Sequence, residues 1–295
     1  MTSEPITAEV LAVIVALVDG EPCVLTLPDA PRLPAGPVLP GHRSLQTAVR
    51  AWVEEQTGLR IGYLEQLYTF ADRDREGGGR RTISVSYLGL VRGLRARSGQ
   101  WRRWYGLFPW EDRRTDDALL HEVVAPALRD WAKTGDRARK QRCAITFGLD
   151  GRPWHPDLTL QRYEVLYEAG LVAESPAQWR RDDLVPGERL DGAHRRIVAT
   201  GVARLRATIQ YRPVVFELMP SQFTLGQLQA CVEALAGRVV HTQNFRRLVE
   251  QQQLVEETGG RAGTGGRPAR LYRFRREVLQ ERQAAGTKLP APRSR

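Results

Sequence analysis

The sequence predicts an α+β protein of two domains, a sheet-and-helix domain followed near the carboxyl end by a winged helix-turn-helix. Three observations carry this reading. Residues 8–91 run in the order strand, strand, helix, strand, strand. Residues 221–276 give two amphipathic helices and then two short strands around a glycine-rich tip. From Thr200 to the end there are 16 Lys+Arg against 7 Asp+Glu, so this last third carries +9 of the net charge of +10.

The amino-terminal elements follow from local chemistry. AEVLAVIVALV is rich in β-branched residues, Asp19-Gly20 is a hairpin turn signal, and CVLTL supplies the second strand. Residues 28–43 form a Pro/Gly loop. Ser44 starts a helix with Leu45, Ala48, Val49, Trp52 and Val53 at helical spacing, and Gly58 ends it. A strand around Leu67–Phe70, a charged glycine-rich loop from Asp72 to Arg81, and a strand at Thr82–Val91 complete the set. Beyond it the pattern gives a helix over 117–132, then a basic linker, a helix near 160–171 and a long helix over 194–210. No chemical motif is evident in 110–190, and the tail 286–295 is expected to be disordered.

Composition excludes several classes. With 42% hydrophobic and 26% charged residues the chain has material for real cores. No apolar run approaches the roughly 20 residues that span a bilayer, and the first residues lack the basic start of a signal peptide. The expectation is a cytoplasmic, nucleoid-associated bacterial protein with no membrane partner. Cys23, Cys143 and Cys231 are isolated and odd in number, which points to buried free thiols rather than a disulfide or zinc framework.

The charge asymmetry implies a polyanion partner for the last third. Thr224 is the expected N-cap of GQLQACVEALAG, whose apolar positions are Leu228, Cys231, Val232 and Leu235. In HTQNFRRLVEQQQLV the expected buried stripe is Phe245, Leu248, Val249 and Leu254. Thr242, Gln243, Asn244, Arg246 and Arg247 are then the groove-facing candidates, since amides read adenine and guanidiniums read guanine or pair with phosphate. Strands at Leu254–Thr258 and Ala269–Phe274 form the wing, with Arg261, Arg267, Arg270 and Arg273 as further DNA contacts. A thin tip, Gly266-Arg267-Pro268, suits a narrow minor groove. The competing reading is an arginine-rich hairpin that meets an acidic protein.

The stretch LPAGPVLPGHRSLQTAVRAWVEEQTGL (Leu33–Leu59) resembles the Nudix box, a glycine loop and helix whose glutamates hold magnesium against a diphosphate. The match is degenerate. Anchored at Gly58, Ala51, Trp52 and Gln56 replace an arginine and two glutamates, leaving Glu55. Anchored at Gly36, Arg50 and Glu54-Glu55 match, but Ala51 and His42 replace glutamates. Either way the metal cage is short of carboxylates, no metal or cofactor is required, and hydrolysis is expected to be feeble or absent. Glu54 and Glu55 are the degenerate metal positions, or simply a solvated helix face. The order of elements resembles the Nudix fold, a mixed α/β/α sandwich.

Residues 191–274 further resemble the Nudix-related transcriptional regulators of NAD metabolism. The resemblance implies a Nudix-like sensor at 1–212, with an insertion at about 110–190, and a winged helix at 213–285. It implies a repressor, and we expect a homodimer whose two-fold pairing would match a palindromic operator in double-stranded DNA. It also implies an effector such as ADP-ribose or another NAD-related nucleotide or pyridine metabolite. Candidate effector contacts are the aromatics Tyr68 and Phe70, with Tyr87 nearby, and the cations Arg43, Arg50, Arg73, Arg75 and Arg81. The alternative is an active Nudix-type hydrolase with an accessory basic domain.

Overall fold

The computed structural model describes residues 7–71, 82–92, 96–176, 184–210, 212–263 and 268–275. The chain divides into two compact units. One is Met1–Leu218 with Ala234–Val239, and the other is Met219–Glu233 with Val240–Arg295.

The first unit is built on a six-stranded mixed sheet. Strand β1 (Thr7–Val18) turns through Asp19 (φ 52°) and Gly20 (φ 81°) into antiparallel β2 (Glu21–Thr26). Two successive residues with positive φ are what a tight twisted hairpin needs, and glycine meets that need without strain. The amino-terminal half of β1 pairs with the short β3 (Ala35–Pro37), which lies inside the expected Pro/Gly loop. On its other edge β1 runs parallel to β5 (Thr82–Leu90), which in turn pairs with β4 (Tyr63–Phe70). Strand β6 (Gln100–Arg103), not expected from the sequence, extends the sheet beyond β2.

Helices cover both faces, which is why β1 reads as a nearly continuous apolar run rather than an alternation. Val10, Ala12, Ile14 and Ala16 pack with Ala48, Val49 and Val53 of α1 (Leu45–Thr57). Val13 points the other way, against Gly201 of α6 (His194–Thr208), where an added Cβ would stand 3.0 Å from Val13 Cγ1. Ser44 caps α1 by accepting from Thr47 N, and Gly58 ends it in the left-handed region, as expected.

Between β6 and α6 the chain is helical: α2 (Trp104–Leu107), α3 (Ala125–Lys133), α4 (Arg137–Phe147) and α5 (Thr159–Glu168). The helix expected over 117–132 is present but opens with a π turn, Leu119–Val124. Pro126 falls just after this turn and lacks the N–H that a regular turn would use. The expected basic linker is instead α4. Asp136 caps it by accepting from Arg139 N at 2.8 Å, and Cys143, Ala144, Thr146 and Phe147 bury one side. Its cations hide that stripe: Arg139 lies over the Trp131 ring and Arg142 pairs with Glu168.

A buried ion cluster ties these helices together. Glu111 accepts from Arg162 Nε at 2.6 Å, from Arg162 Nη2 at 2.8 Å and from Arg206 Nη1. The three side chains are at most 1% exposed. Burial pushes the Glu111 carboxyl up, but the two guanidiniums outweigh it and hold it below the ordinary carboxylate range. Within the same unit Arg206 Nε donates to Leu235 O and Tyr105 Oη to Ala234 O. All three cysteines are buried free thiols, and burial raises Cys23 to about 11 and Cys231 to about 12.

The second unit comprises most of α7 (Leu225–Ala236), then α8 (Thr242–Gln251) and the hairpin of β7 (Val255–Ala262) and β8 (Ala269–Phe274). Met219, Phe223, Leu228, Cys231 and Val249 are its buried apolar residues. The tail 286–295 lies outside the described residues.

Candidate nucleic-acid interface and effector site

The helix-turn-helix is fixed by side chains that satisfy its exposed backbone ends. Thr224 Oγ1 accepts from Gln227 N at 3.1 Å, and Gln227 Oε1 accepts from Thr224 N at 2.8 Å. This reciprocal capping box starts α7 where its sequence pattern places it. Gln229 Nε2 donates to Val240 O and Thr242 Oγ1, and Glu233 Oε1 accepts from Val240 N. One face of α7 thereby holds the start of α8. Phe223 N donates to Tyr272 O and Phe223 O accepts from Tyr272 N, adding a one-residue third strand to the wing. No sequence signal announces this bridge, because a single paired residue has no periodicity.

On α8 only Val249 is buried and Phe245 is half-buried. Thr242, Gln243, Asn244, Arg246, Arg247 and Glu250 are exposed. At about 100° per residue, Gln243 and Arg247 lie on the line farthest from that buried edge. Leu248, expected in the buried stripe, is 52% exposed. It stands about 100° from Val249 on a helix whose covered strip is narrow.

The arginines fall into two electrostatic groups. Arg246, Arg247 and Arg261 are exposed and make no ion pair with a described residue. Arg270 donates to Glu257 at 2.6 Å and Arg273 to Glu256 at 2.5 Å, so the wing neutralises two of its own cations. Arg267 lies outside the described residues.

The effector candidates are dispersed. Tyr68 and Phe70 meet edge to face at 5.1 Å; Tyr68 is 59% exposed, and Phe70 is buried with Arg196 of α6 5.4 Å from its ring. Tyr87 belongs to the core under α1 and donates to Gln66 Oε1 at 3.4 Å. The expected trio is therefore split between the two sheet faces. The physical reason is strand alternation on β5 together with a register shift in β4 between Gln66 and Thr69. Arg50, on α1, donates to Ile61 O and Gly62 O, so its fork closes the loop after the helix. Arg43 is exposed just before the cap, and Arg73, Arg75 and Arg81 lie outside the described residues.

Sequence reasoning missed His194. Its Nδ1 accepts from Leu33 N at 3.2 Å, and burial lowers its pKa from 6.5 to about 4, so the ring is neutral. It pins the start of the glycine loop, 161 residues away in the chain.

Gly58 takes the left-handed conformation (φ 71°) with its N–H on Glu54 O, which makes it the helix-ending glycine. In the register counted from there, Trp52 and Gln56 stand where the resemblance would place carboxylates. Glu54 pairs with Arg60 at 2.8 Å on the surface, and Glu55 is exposed. Among the described residues no group of three or more His, Cys, Asp or Glu is placed to hold a metal ion.

Residues 215–274 match the NrtR DNA-binding winged helix domain family. The ADPR responsive transcriptional repressor NtrR of Acinetobacter baylyi is 37% identical over 81 residues, which are 28% of this chain and 32% of that protein. The aligned stretch thus spans about a third of the curated relative. Shewanella oneidensis NrtR, solved with a 27mer DNA, superposes with a TM-score of 0.59 at 19% identity, covering 92% of this chain and 95% of the other. A MutT/nudix family protein from Enterococcus faecalis gives 0.52 at 16% identity, covering 93% and 88%. At these identities the two structures speak to fold alone. The chain therefore has the fold of a Nudix-like domain followed by a winged helix, and its segment 215–274 is of the NrtR winged-helix type.

Proposed function

We propose that this chain is a DNA-binding transcriptional repressor of NAD biosynthesis or salvage genes, controlled by ADP-ribose or a related NAD metabolite that its Nudix-like domain senses. The observation that carries the reading is the NrtR-type winged helix at 215–274, whose second helix exposes Arg246 and Arg247 with no ion pair to a described residue. The name of the A. baylyi relative, ADPR responsive repressor, supports the effector.

DNA contacts are assigned to Thr242, Gln243, Asn244, Arg246, Arg247, Arg261, Arg267, Arg270 and Arg273, within a DNA-binding domain at 213–285. The sensor is 1–212. Of the effector candidates, Tyr68 and Phe70 meet ring to ring and remain the aromatic contacts. The protein acts in the cytoplasm as a homodimer on a palindromic operator, whose two-fold symmetry matches that of the pair. The domain is not a hydrolase, a reading supported by the scarcity of carboxylates on α1.

The test is fluorescence anisotropy with the duplex upstream of the chain's own gene, at two salt concentrations, with and without ADP-ribose. Salt-sensitive binding that ADP-ribose shifts is the expected result. Absence of binding to this duplex at low salt refutes the regulator reading. Magnesium-dependent release of phosphate products from ADP-ribose or NADH would instead establish the hydrolase.

A further inference from the structure

The glycine loop ahead of α1 is held by the two side chains that stand in the metal positions. Gln56 Oε1 accepts from Ala35 N at 3.1 Å, and Gln56 Nε2 donates to Ala35 O at 2.8 Å. The amide thus pairs with a peptide group as a neighbouring strand would, on the edge of β3 that β1 leaves free. Trp52 Nε1 donates to Pro37 O at 2.9 Å. Its ring lies so close over Gly36 that a Cβ there would come within 2.3 Å of Cδ2 and Cε2. His42 meets the same ring edge to face at 6.4 Å.

This chemistry excludes carboxylates at the same positions. A glutamate at 56 could accept from Ala35 N, but its second oxygen would face Ala35 O with no proton between them. A glutamate at 52 would supply neither the indole donor nor the flat face that Gly36 contacts. The residues that a divalent cation needs and those that this loop needs are mutually exclusive.

We infer that Trp52 and Gln56 are positioning residues that latch residues 35–37 onto α1 in place of a metal ion, so that the domain takes up a nucleotide diphosphate without a divalent cation. The second clause rests on the sensor reading above; the first does not. Two ligand-free measurements on the full chain test the latch. In Mn²⁺ titration followed by electron paramagnetic resonance, the wild type binds no ion up to about 1 mM. In hydrogen exchange, the segment 33–38 is protected equally in EDTA and in magnesium, and Gln56→Glu and Gln56→Met each speed its exchange about fivefold or more. Stoichiometric Mn²⁺ binding by the wild type, or unchanged exchange in both variants, overturns the latch.

Calorimetry with ADP-ribose tests the consequence. The expected Kd agrees within about twofold in EDTA and in magnesium, and Gln56→Glu weakens it about tenfold. A magnesium requirement for binding overturns the metal-free mode. No binding in either buffer overturns the sensor reading and the second clause with it, while the latch is decided by the ligand-free measurements.

Discussion

Replacing Arg246 and Arg247 with alanine tests whether DNA is met by the free cations of α8 rather than by those the wing pairs with its own carboxylates. Both are exposed and make no ion pair with a described residue, whereas Arg270 and Arg273 are bonded to Glu257 and Glu256. Each phosphate contact contributes about 0.9 to the slope of log affinity against log salt. Loss of two such contacts flattens that slope by about 1.8. Between about 50 and 200 mM salt, roughly a fourfold change, the variant's affinity then falls by a factor about twelve smaller than the wild type's. Alanine at Arg270 and Arg273 changes the slope less, because each guanidinium must first leave its carboxylate. Glu256→Gln with Glu257→Gln, which frees both arginines, tightens binding. Anisotropy on the upstream duplex across a salt series reads all three. An unchanged slope in the Arg246/Arg247 variant, or a larger loss from the Arg270/Arg273 variant, would show that α8 is not the face laid on DNA.

Three further outcomes concern the first unit. Glu111→Gln leaves Arg162 and Arg206 buried without their counter-charge and lowers stability by about 3–5 kcal/mol, read from urea midpoints; a change below about 1 kcal/mol would show that the cluster is not a net charge pair. His194 has a folded pKa of about 4, below its ordinary 6.5, so its contribution is complete above 6.5 and is lost as pH falls toward 4. That loss amounts to about 3 kcal/mol, and His194→Gln, which keeps an acceptor for Leu33 N, should flatten stability between about pH 7 and 5; parallel pH curves would refute it. Gly237 has φ 68°, and a Cβ there would stand 2.3 Å from Glu111 O, a backbone atom. Gly237→Ala is therefore expected to cost at least about 1–3 kcal/mol, which a thermal melt compared with Gly226→Ala on the open surface would reveal.

The legible parts of this protein were those whose signal is local. Asp19-Gly20 specified a turn because the backbone there needs positive φ. Ser44, Gly58 and Thr224 marked helix ends because their side chains, or the lack of one, satisfy nearby backbone groups. The winged helix was readable because its helices carry their own apolar stripes and its charge sits apart from the rest of the chain. Helix α4 was missed for the converse reason: Arg137, Arg139, Lys140 and Arg142 crowd its sequence, and the partners that make two of them tolerable, Trp131 and Glu168, come from other helices.

What only the tertiary structure decided lies between distant segments. Nothing around Glu111, Arg162 or Arg206 announces a buried charge cluster, since each residue alone reads as a surface charge and the cluster exists only when three elements converge. Tyr87 parted from Tyr68 and Phe70 because a register shift in β4 and the alternation of β5 assign faces that composition does not record. The expected degeneracy of the box rested on carboxylates that the sequence lacks. That Trp52 and Gln56 do a different task there became visible only once β3 was seen lying beside them, because a hydrogen bond to a main-chain amide leaves no mark on the sequence of the strand that receives it.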